Sequence, residues 1–421
     1  MIATLSILGI LFLAGIGTPI FIIMGLAALT AFTFAQIETS AVIVELYRVA
    51  SAPTLLTIPL FTFAGYLMAE AQTPKRLVRL ADSLLGWLPG GVAIVALINC
   101  AFFTAFTGAS GVTIIALGGL IYPILMKEGY TEKFTLGLIT TSGSLGLLFP
   151  PSLPIILYGL VAKVDIDNLF KAGILPGILL IVILSAWSIK NGRGIIKSEK
   201  KKFVASEALA AFKACFWEAL LPILVLTGIY GGFTTPSEAA AVTAFYIFIV
   251  EVFIYRDLSL KKDIPRIVLD SMSLVGAILL ILCCAMGLTN YLIDEEVPML
   301  IMDYMRKFLH DKYSFLFFLN IFLLVVGCMM DIFSAIIVVV PLIIPIANEF
   351  GVNPIHLAII FLTNLEIGYI TPPVGINLFI SSFRFKRPVT ELYKVSIPYL
   401  ILMLIALAII TYVPMLSLIW F

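Results

Sequence analysis

The sequence predicts an all-α polytopic membrane protein organised as an inverted repeat, with two re-entrant hairpins and two broken helices. Three observations lead there. Of 421 residues, 61% are hydrophobic and only 12% charged, with a mean hydropathy of +1.13; a soluble domain carries about 25% charged residues. Apolar stretches of spanning length follow one another almost from the N-terminus. Four of those stretches are interrupted by glycine, proline and hydroxyl residues, and the interruptions recur at a constant offset. So few charges cannot clothe a water-facing globule of this mass, which excludes a soluble enzyme, a nucleic-acid binder and a disordered scaffold.

A spanning helix needs about 20 apolar residues, and segments 4–24, 25–46 and 54–70 supply the first three. No basic n-region precedes the first, so it reads as a membrane helix rather than a removable signal peptide. Residues 71–90 place Lys75, Arg76 and Arg79 among Leu77, Val78, Leu80, Leu84 and Leu85, the pattern of an amphipathic helix lying along the interface. Residues 91–126 are cut at Thr107-Gly108-Ala109-Ser110-Gly111. Each arm is then about 15–17 residues, about 25 Å as helix and short for a crossing, so a re-entrant hairpin is expected. Residues 131–161 make one span broken between Ser142 and Pro151, where Pro150-Pro151 cannot sustain the helical hydrogen-bond ladder. Then come a span at 173–190, a polar linker over 190–213, and spans at 215–233, 237–255 and 268–290. A second hairpin covers 313–347, cut at Met329-Met330-Asp331-Ile332-Phe333-Ser334. A second broken helix covers 354–383, interrupted from Asn364 to Pro372-Pro373, and 396–420 is the last span.

The interrupted regions repeat. Pro123, Gly129, Thr141, Gly146, Pro150 and Pro151 match Pro345, Gly351, Thr363, Gly368, Pro372 and Pro373, each 222 positions later. With the 190–213 linker (Lys190, Arg193, Lys197, Lys200, Lys201, Lys202, Lys213) placed in the cytoplasm, alternation puts 20 of the 26 basic residues on that side, as the positive-inside rule requires. The two repeats then cross in opposite directions.

Inverted repeats with interrupted helices point to a midplane binding site in a secondary transporter. Hydrocarbon satisfies no free N–H or C=O, so unwound backbone survives only inside protein or beside water. Freed carbonyls offer hard oxygen ligands, and half-helix N-termini attract anions. The first repeat supplies Thr107, Ser110, Ser142 and Ser144, the second Ser334, Asn364 and Thr371. Taken singly, small hydroxyl residues more often serve close helix packing; gathered at four breaks, they favour a site. Asp331 and Glu366 are isolated charges within apolar sequence, and each reads either as an ion ligand or as a partner for free backbone N–H groups. His310 and His356 read as interfacial or core residues. Five cysteines without a CxxC pair offer no metal cage, and the glycine-rich Gly228–Gly232 lacks a P-loop lysine.

Gly146-Leu147-Leu148-Phe149-Pro150-Pro151-Ser152 and its continuation to Gly159, the runs Leu169–Gly177 and Gly228–Ala241, and Ile370-Thr371-Pro372-Pro373-Val374-Gly375-Ile376-Asn377 resemble the large membrane subunit (DctM-like) of TRAP transporters, the tripartite ATP-independent periplasmic transporters. The resemblance covers essentially the whole chain. It implies an elevator-type ion-transporter architecture working by sodium symport in the bacterial cell inner membrane, with no enzymatic activity, no cofactor and sodium (Na+) as the coupling ion. It further implies a separate small four-helix membrane subunit, a periplasmic substrate-binding protein and an organic-acid cargo: a dicarboxylate, a 2-oxo acid or a sialic acid. Residues 1–90 would be N-terminal scaffold helices and interfacial arm, and 91–172 the first transport-domain repeat. Residues 173–312 would be scaffold with its linker, 313–383 the second repeat, and 384–421 the C-terminal helix. The family's sodium sites correspond to 107–111 with 142–146 and to 330–334 with 364–371, hence to Thr107, Gly108, Ser110, Ser142, Ser144, Asp331, Ser334, Asn364, Gly368 and Thr371. Val112 stands where the first tip often carries a further small polar residue. The cargo carboxylate is expected at Ser152, Thr371 and Val374, beyond the prolines Pro150, Pro151, Pro372 and Pro373. The rival expectations are a stand-alone divalent-anion/sodium symporter, an intramembrane enzyme using Ser110 or Asp331, and a purely structural membrane subunit.

Overall fold

The computed structural model describes residues 6, 8–10, 12–13, 16–40, 43–44, 47, 51, 53–88, 90–192, 203–297, 299–300 and 311–421. His310 and the linker bases Arg193, Lys197, Lys200, Lys201 and Lys202 lie outside the described residues, as does part of the first two predicted spans. Among the described residues the regular structure is entirely helical. Seven of these helices are long and apolar enough to cross a membrane, and nine spans result if each of two bent pairs counts as one. This is a multi-pass membrane protein.

Helix α1 (Ile20–Phe34) corrects the boundary expected between residues 24 and 25. Pro19 occupies its N-cap and Gly17 is left-handed at φ +81°, whereas Gly25 carries no stop signal and is carried through as an ordinary helical residue. Next come α2 (Thr57–Glu70) and the amphipathic α3 (Thr73–Leu85), which buries Leu77 and Val78. The first hairpin is α4 (Gly91–Thr107) and α5 (Ser110–Lys127). The first broken helix is α6 (Glu132–Ser142), a 3-10 turn at Leu145–Leu148 and α7 (Leu153–Ala162), bent by 45°. Helix α8 (Ile166–Gly192) runs unbroken through residues 172–173.

The predicted polar linker is partly helical: α9 (Ala205–Ala214) is alanine-rich, a strong helix-forming composition, and buries Ala208 and Ala211 on the side that meets α3. Helices α10 (Phe216–Tyr230), α11 (Pro236–Ile249, continued as a π-helix to Ile254) and α12 (Asp263–Asp294) follow. Thr235 and Glu238 close a capping box at the start of α11. The second hairpin is α13 (Lys312–Met329) and α14 (Ile332–Glu349). The second broken helix is α15 (Pro354–Gly368) and α16 (Ile376–Phe385), and α17 (Val389–Tyr412) with the short α18 (Met415–Leu418) completes the chain. Three of the four hairpin arms reach 18 residues, longer than expected and about 27 Å as helix. Arm length therefore does not by itself make the hairpins re-entrant.

The repeat is visible in backbone detail. Thr131 and Asn353, 222 apart in sequence, are both N-caps of the broken helices and accept from Phe134 N and Ile355 N. Gly129 and Gly351 are both left-handed, and Pro150-Pro151 and Pro372-Pro373 are both cis. The repeats interlock: α14 packs on α7, α16 on α5, and α15 on the Leu145–Leu148 turn. Tyr158 and Phe361, both fully buried, pack across the two broken helices with ring centroids 5.7 Å apart. Outside the repeats, Arg76 on α3 pairs with Glu218 on α10, Glu251 and Asp257, and its guanidinium lies 3.9 Å from the Tyr255 ring centroid.

Candidate functional site at the paired helix breaks

The two predicted junctions both form, each by its own chemistry. At the first, α4 ends where Gly108 turns left-handed (φ +63°) and its N–H returns to Thr104 O at 2.8 Å. A Cβ on Gly108 would lie 2.6–2.8 Å from Leu153, the first residue of α7, so the hairpin tip rests on the far side of the break. Thr104 Oγ1 donates to Gly143 O at 2.8 Å and pairs with Thr113 Oγ1 at 2.7 Å, tying both arms to the break. At the second junction, Ile332 N donates to Tyr369 Oη at 2.7 Å and Gly375 N to Cys328 O at 3.0 Å. Tip and break are again joined.

Close backbone approach repeats as well. A Cβ on Gly146 would sit 2.2 Å from Ala101 O and 2.4 Å from Ala105 N; one on Gly368 would sit 2.4 Å from the Gly327 carbonyl carbon. Gly368 and Gly327 are the repeat mates of Gly146 and Ala105. In both halves only glycine lets the break lie against the first hairpin arm.

The two junctions then meet. Ser144 Oγ lies 3.4 Å from Glu366 O, and these residues are 222 positions apart. A residue that touches its own repeat mate lies beside the axis relating the repeats, so that axis passes between the breaks. Asn377 on α16 donates to Thr140 O on α6 at 3.2 Å, and the hydroxyls of Thr140 and Ser381 pair at 2.9 Å.

The predicted site residues differ in what they do. Asp331 caps α14, accepting from Phe333 N and Ser334 N at 3.0 Å each and from the Ser334 hydroxyl. That is the backbone-partner role. Glu366 is fully buried and neither carboxylate oxygen has a hydrogen-bond partner. Thr107 Oγ1, Asn364 Oδ1 and Ser152 Oγ are likewise buried and unpartnered, as are Thr141 Oγ1 and Asn377 Oδ1, which the sequence did not single out as site residues. Ser142 Oγ contacts Ile139 O at 3.3 Å, Thr371 Oγ1 donates to Ile367 O at 2.9 Å, and Ser110 is buried. Pro372, Pro373 and Val374 are exposed, whereas Pro151 is buried. At the start of α16 the N–H groups of Gly375 and Asn377 are already engaged by Cys328 O and Tyr369 O.

Buried oxygens without donors are costly; those of Thr107, Thr141, Ser152, Asn364, Glu366 and Asn377 lie on the helices that meet at the two adjoining breaks, while others, at Thr135, Ser185 and Ser396 among them, lie elsewhere in the fold. Such a set suits a hard cation, which prefers oxygen ligands. Among the described residues no group of three or more His, Cys, Asp or Glu side chains is placed to hold a transition metal. Sequence reasoning passed over Thr104, Thr113, Thr140, Asn320 and Ser381, and quoted Asn377 only as part of a motif, with no site role. The one signal for Asn320 was its isolation as an amide between Phe317-Phe318-Leu319 and Ile321-Phe322.

Fold and site thus define a helical membrane protein with two interrupted repeats meeting at a polar centre, the architecture of a secondary transporter. The family model of the tripartite ATP-independent periplasmic transporter, DctM component, matches residues 7–416, and the chain belongs to this family. It is 33% identical over 417 residues to the C4-dicarboxylate TRAP transporter large permease protein DctM of Rhodobacter capsulatus, covering 96% of this chain and 94% of that one. It is 36% identical over 404 residues to the isethionate TRAP transporter permease protein DctMQ of Oleidesulfovibrio alaskensis; the match covers 95% of this chain but 63% of that longer relative. The ectoine/5-hydroxyectoine large permease UehC of Ruegeria pomeroyi is 32% identical, over 83% of this chain and 82% of its own. The crystal structure of the Alcanivorax borkumensis YdaH transporter shares the fold, with a TM-score of 0.60 at 12% identity over 86% of this chain and 84% of its own. Family and relatives are permeases, so the intramembrane-enzyme expectation falls away.

Proposed function

We propose that this chain is the large transmembrane subunit of a sodium-coupled, binding-protein-dependent transporter that imports an organic acid into a bacterial cell across its inner membrane. The observation that carries the reading is the set of donorless buried oxygens at the breaks: Thr107, Thr141, Asn364, Glu366 and Asn377. Sodium arrives as a substrate, is coordinated by these oxygens and stiffens the unwound loops around Gly143–Ser144 and Tyr369–Thr371. Ser110, Ser142, Gly108, Gly368 and Ser334 lend carbonyl and hydroxyl oxygens at the same junctions.

The cargo carboxylate binds beside the loaded breaks, near the α7 N-terminus at Ser152, whose buried hydroxyl is unpartnered. Helix N-termini favour anions through their free N–H groups and dipole. Thr371 and Val374 contribute from the second repeat, less through α16 N–H groups than through their own backbone. Relatives are named for C4-dicarboxylate, isethionate and ectoine/5-hydroxyectoine, one cargo class each; in this reading a periplasmic substrate-binding protein sets the selectivity of this chain's system. The interlocked repeats, with re-entrant hairpins, move together as an elevator. The scaffold helices of residues 1–90 and 173–312 stay fixed and dock a small four-helix membrane subunit.

The test is uptake into proteoliposomes holding this chain, its small subunit and its binding protein. Accumulation driven by an inward sodium gradient and absent with a potassium gradient is expected. Equal uptake in both would overturn the sodium coupling, and full uptake by this chain alone would return it to a stand-alone symporter.

A further inference from the structure

A run of hydrogen bonds leads from the C-terminal helix to the second break. Ser417 Oγ on α18 lies 2.7 Å from His356 Nδ1, and His356 Nε2 lies 3.1 Å from Thr411 O. A carbonyl only accepts, so Nε2 carries the proton and Nδ1 accepts from the serine hydroxyl. Thr411 then reaches Asn320 through its own hydroxyl, which lies 3.2 Å from Asn320 Nδ2. The same Asn320 nitrogen donates to Leu316 O at 2.8 Å. That carbonyl contact fixes which end of the Asn320 amide is nitrogen; its Oδ1 accepts from Asn364 Nδ2 at 2.6 Å and lies 3.4 Å from the Thr411 hydroxyl.

Asn364 is thereby locked. Its second N–H donates to Ile360 O at 2.8 Å, so both protons of the carboxamide point at oxygens. Rotating the amide by half a turn would set Oδ1 against two acceptors at hydrogen-bond distance. The oxygen must face away from α13, where it is buried without a partner. An asparagine free to rotate would offer a cation its nitrogen, a donor, in half of its orientations.

We propose that Asn320 is a positioning residue for the cation site at the second break: it holds the Asn364 carboxamide oxygen-first toward the ion and is itself held by Leu316 O, Thr411 and, behind them, His356 and Ser417. The proposal rests on the sodium reading above. It accounts for an amide on an otherwise apolar arm, where an unpaired polar group is costly. Partners that orient a metal ligand without touching the ion typically contribute about 10–100-fold in affinity, and Asn320 stands in that relation to Asn364.

The test is the sodium concentration giving half-maximal thermal stabilisation of the purified full chain, with choline holding ionic strength constant. It is measured for wild type, Asn364→Ala, Asn320→Leu and Asn320→Ser, the serine being too short to reach Asn364. Both Asn320 variants are expected to raise the half-saturating sodium by about 10–100-fold, whatever they do to melting without sodium. Variants that melt lower without sodium yet keep the wild-type half-saturation would assign Asn320 a packing role and overturn the proposal. If Asn364→Ala loses the sodium response while both Asn320 variants keep it, the sodium reading stands and the positioning role falls. A wild type that melts alike in sodium and choline would remove both.

Discussion

Alanine at Gly146 or Gly368 forces a methyl group into backbone that has nowhere to go. The new Cβ would meet Ala101 O at 2.2 Å and Ala105 N at 2.4 Å in the first repeat, and the Gly327 carbonyl carbon at 2.4 Å and Cα at 2.6 Å in the second. Real Cβ contacts do not approach below about 3 Å, and the opposing atoms belong to helix backbone rather than to a flexible side chain. Relief requires sliding the break away from its hairpin, and overpacking of this kind costs about 1–3 kcal/mol. Because the two sites are repeat mates, the two losses should be alike. Gly276 on α12 provides the control, since nothing lies within 4 Å of its Cβ position; Gly→Ala there removes unfolded-state freedom and stabilises by about 0.5–1 kcal/mol. Tryptophan-fluorescence melting of the purified chain should rank Gly276→Ala at or above wild type and both break variants below it. Sodium-driven uptake should fall with the break variants alone. Wild-type melting and uptake for both would refute the close packing of break on hairpin.

Three further outcomes are expected. Arg76→Ala strips the cationic partner from Glu218 and Glu251, both fully buried, and from Asp257, leaving them the hydrogen bonds from Tyr255, Thr73 and Gln72 N. Burial alone would lower the Arg76 pKa, but Glu218 and Glu251 more than offset it and hold it raised. Breaking such a pairing costs about 3–5 kcal/mol, and a melting curve within 1 °C of wild type would contradict it. Tyr369→Phe removes the acceptor for Ile332 N; an unsatisfied buried N–H costs about 1–3 kcal/mol, and faster hydrogen exchange at Ile332 would report it. Glu366→Gln keeps the volume but replaces a donorless oxygen with an N–H. Sodium half-saturation of uptake should rise by about tenfold or more with folding retained, and an unchanged value would exclude Glu366 from the cation site.

Where the chain is locally unusual, the sequence was informative. The Pro-Pro pairs, the glycine and hydroxyl clusters and the offset of 222 located both hairpins, both breaks and the pairing of the repeats, because each reflects a local demand on the backbone. The caps Thr131 and Asn353 obey the same offset. What stayed hidden was contact between distant segments. Asn320 meets Asn364 across two helices, Asn377 meets Thr140 237 positions away, and Arg76 meets Glu218 142 positions away. No periodicity encodes such meetings. Asp331 and Glu366 looked alike as lone charges in apolar sequence, yet one caps a helix and the other has no partner. Only three-dimensional placement separates them. The α1 boundary and the α9 helix were misjudged for a different reason: hydropathy and lysine content outweighed the cap at Pro19 and the alanine-rich composition of 205–214.

The most direct measurement is equilibrium binding of radiolabelled sodium to the purified chain, with unlabelled sodium, potassium and choline as competitors. Saturable binding displaced by sodium but not by potassium or choline, and lost in Asn364→Ala, is the expected result. A folded chain, alone and with its partners, that shows no saturable binding would contradict a cation site at the paired breaks.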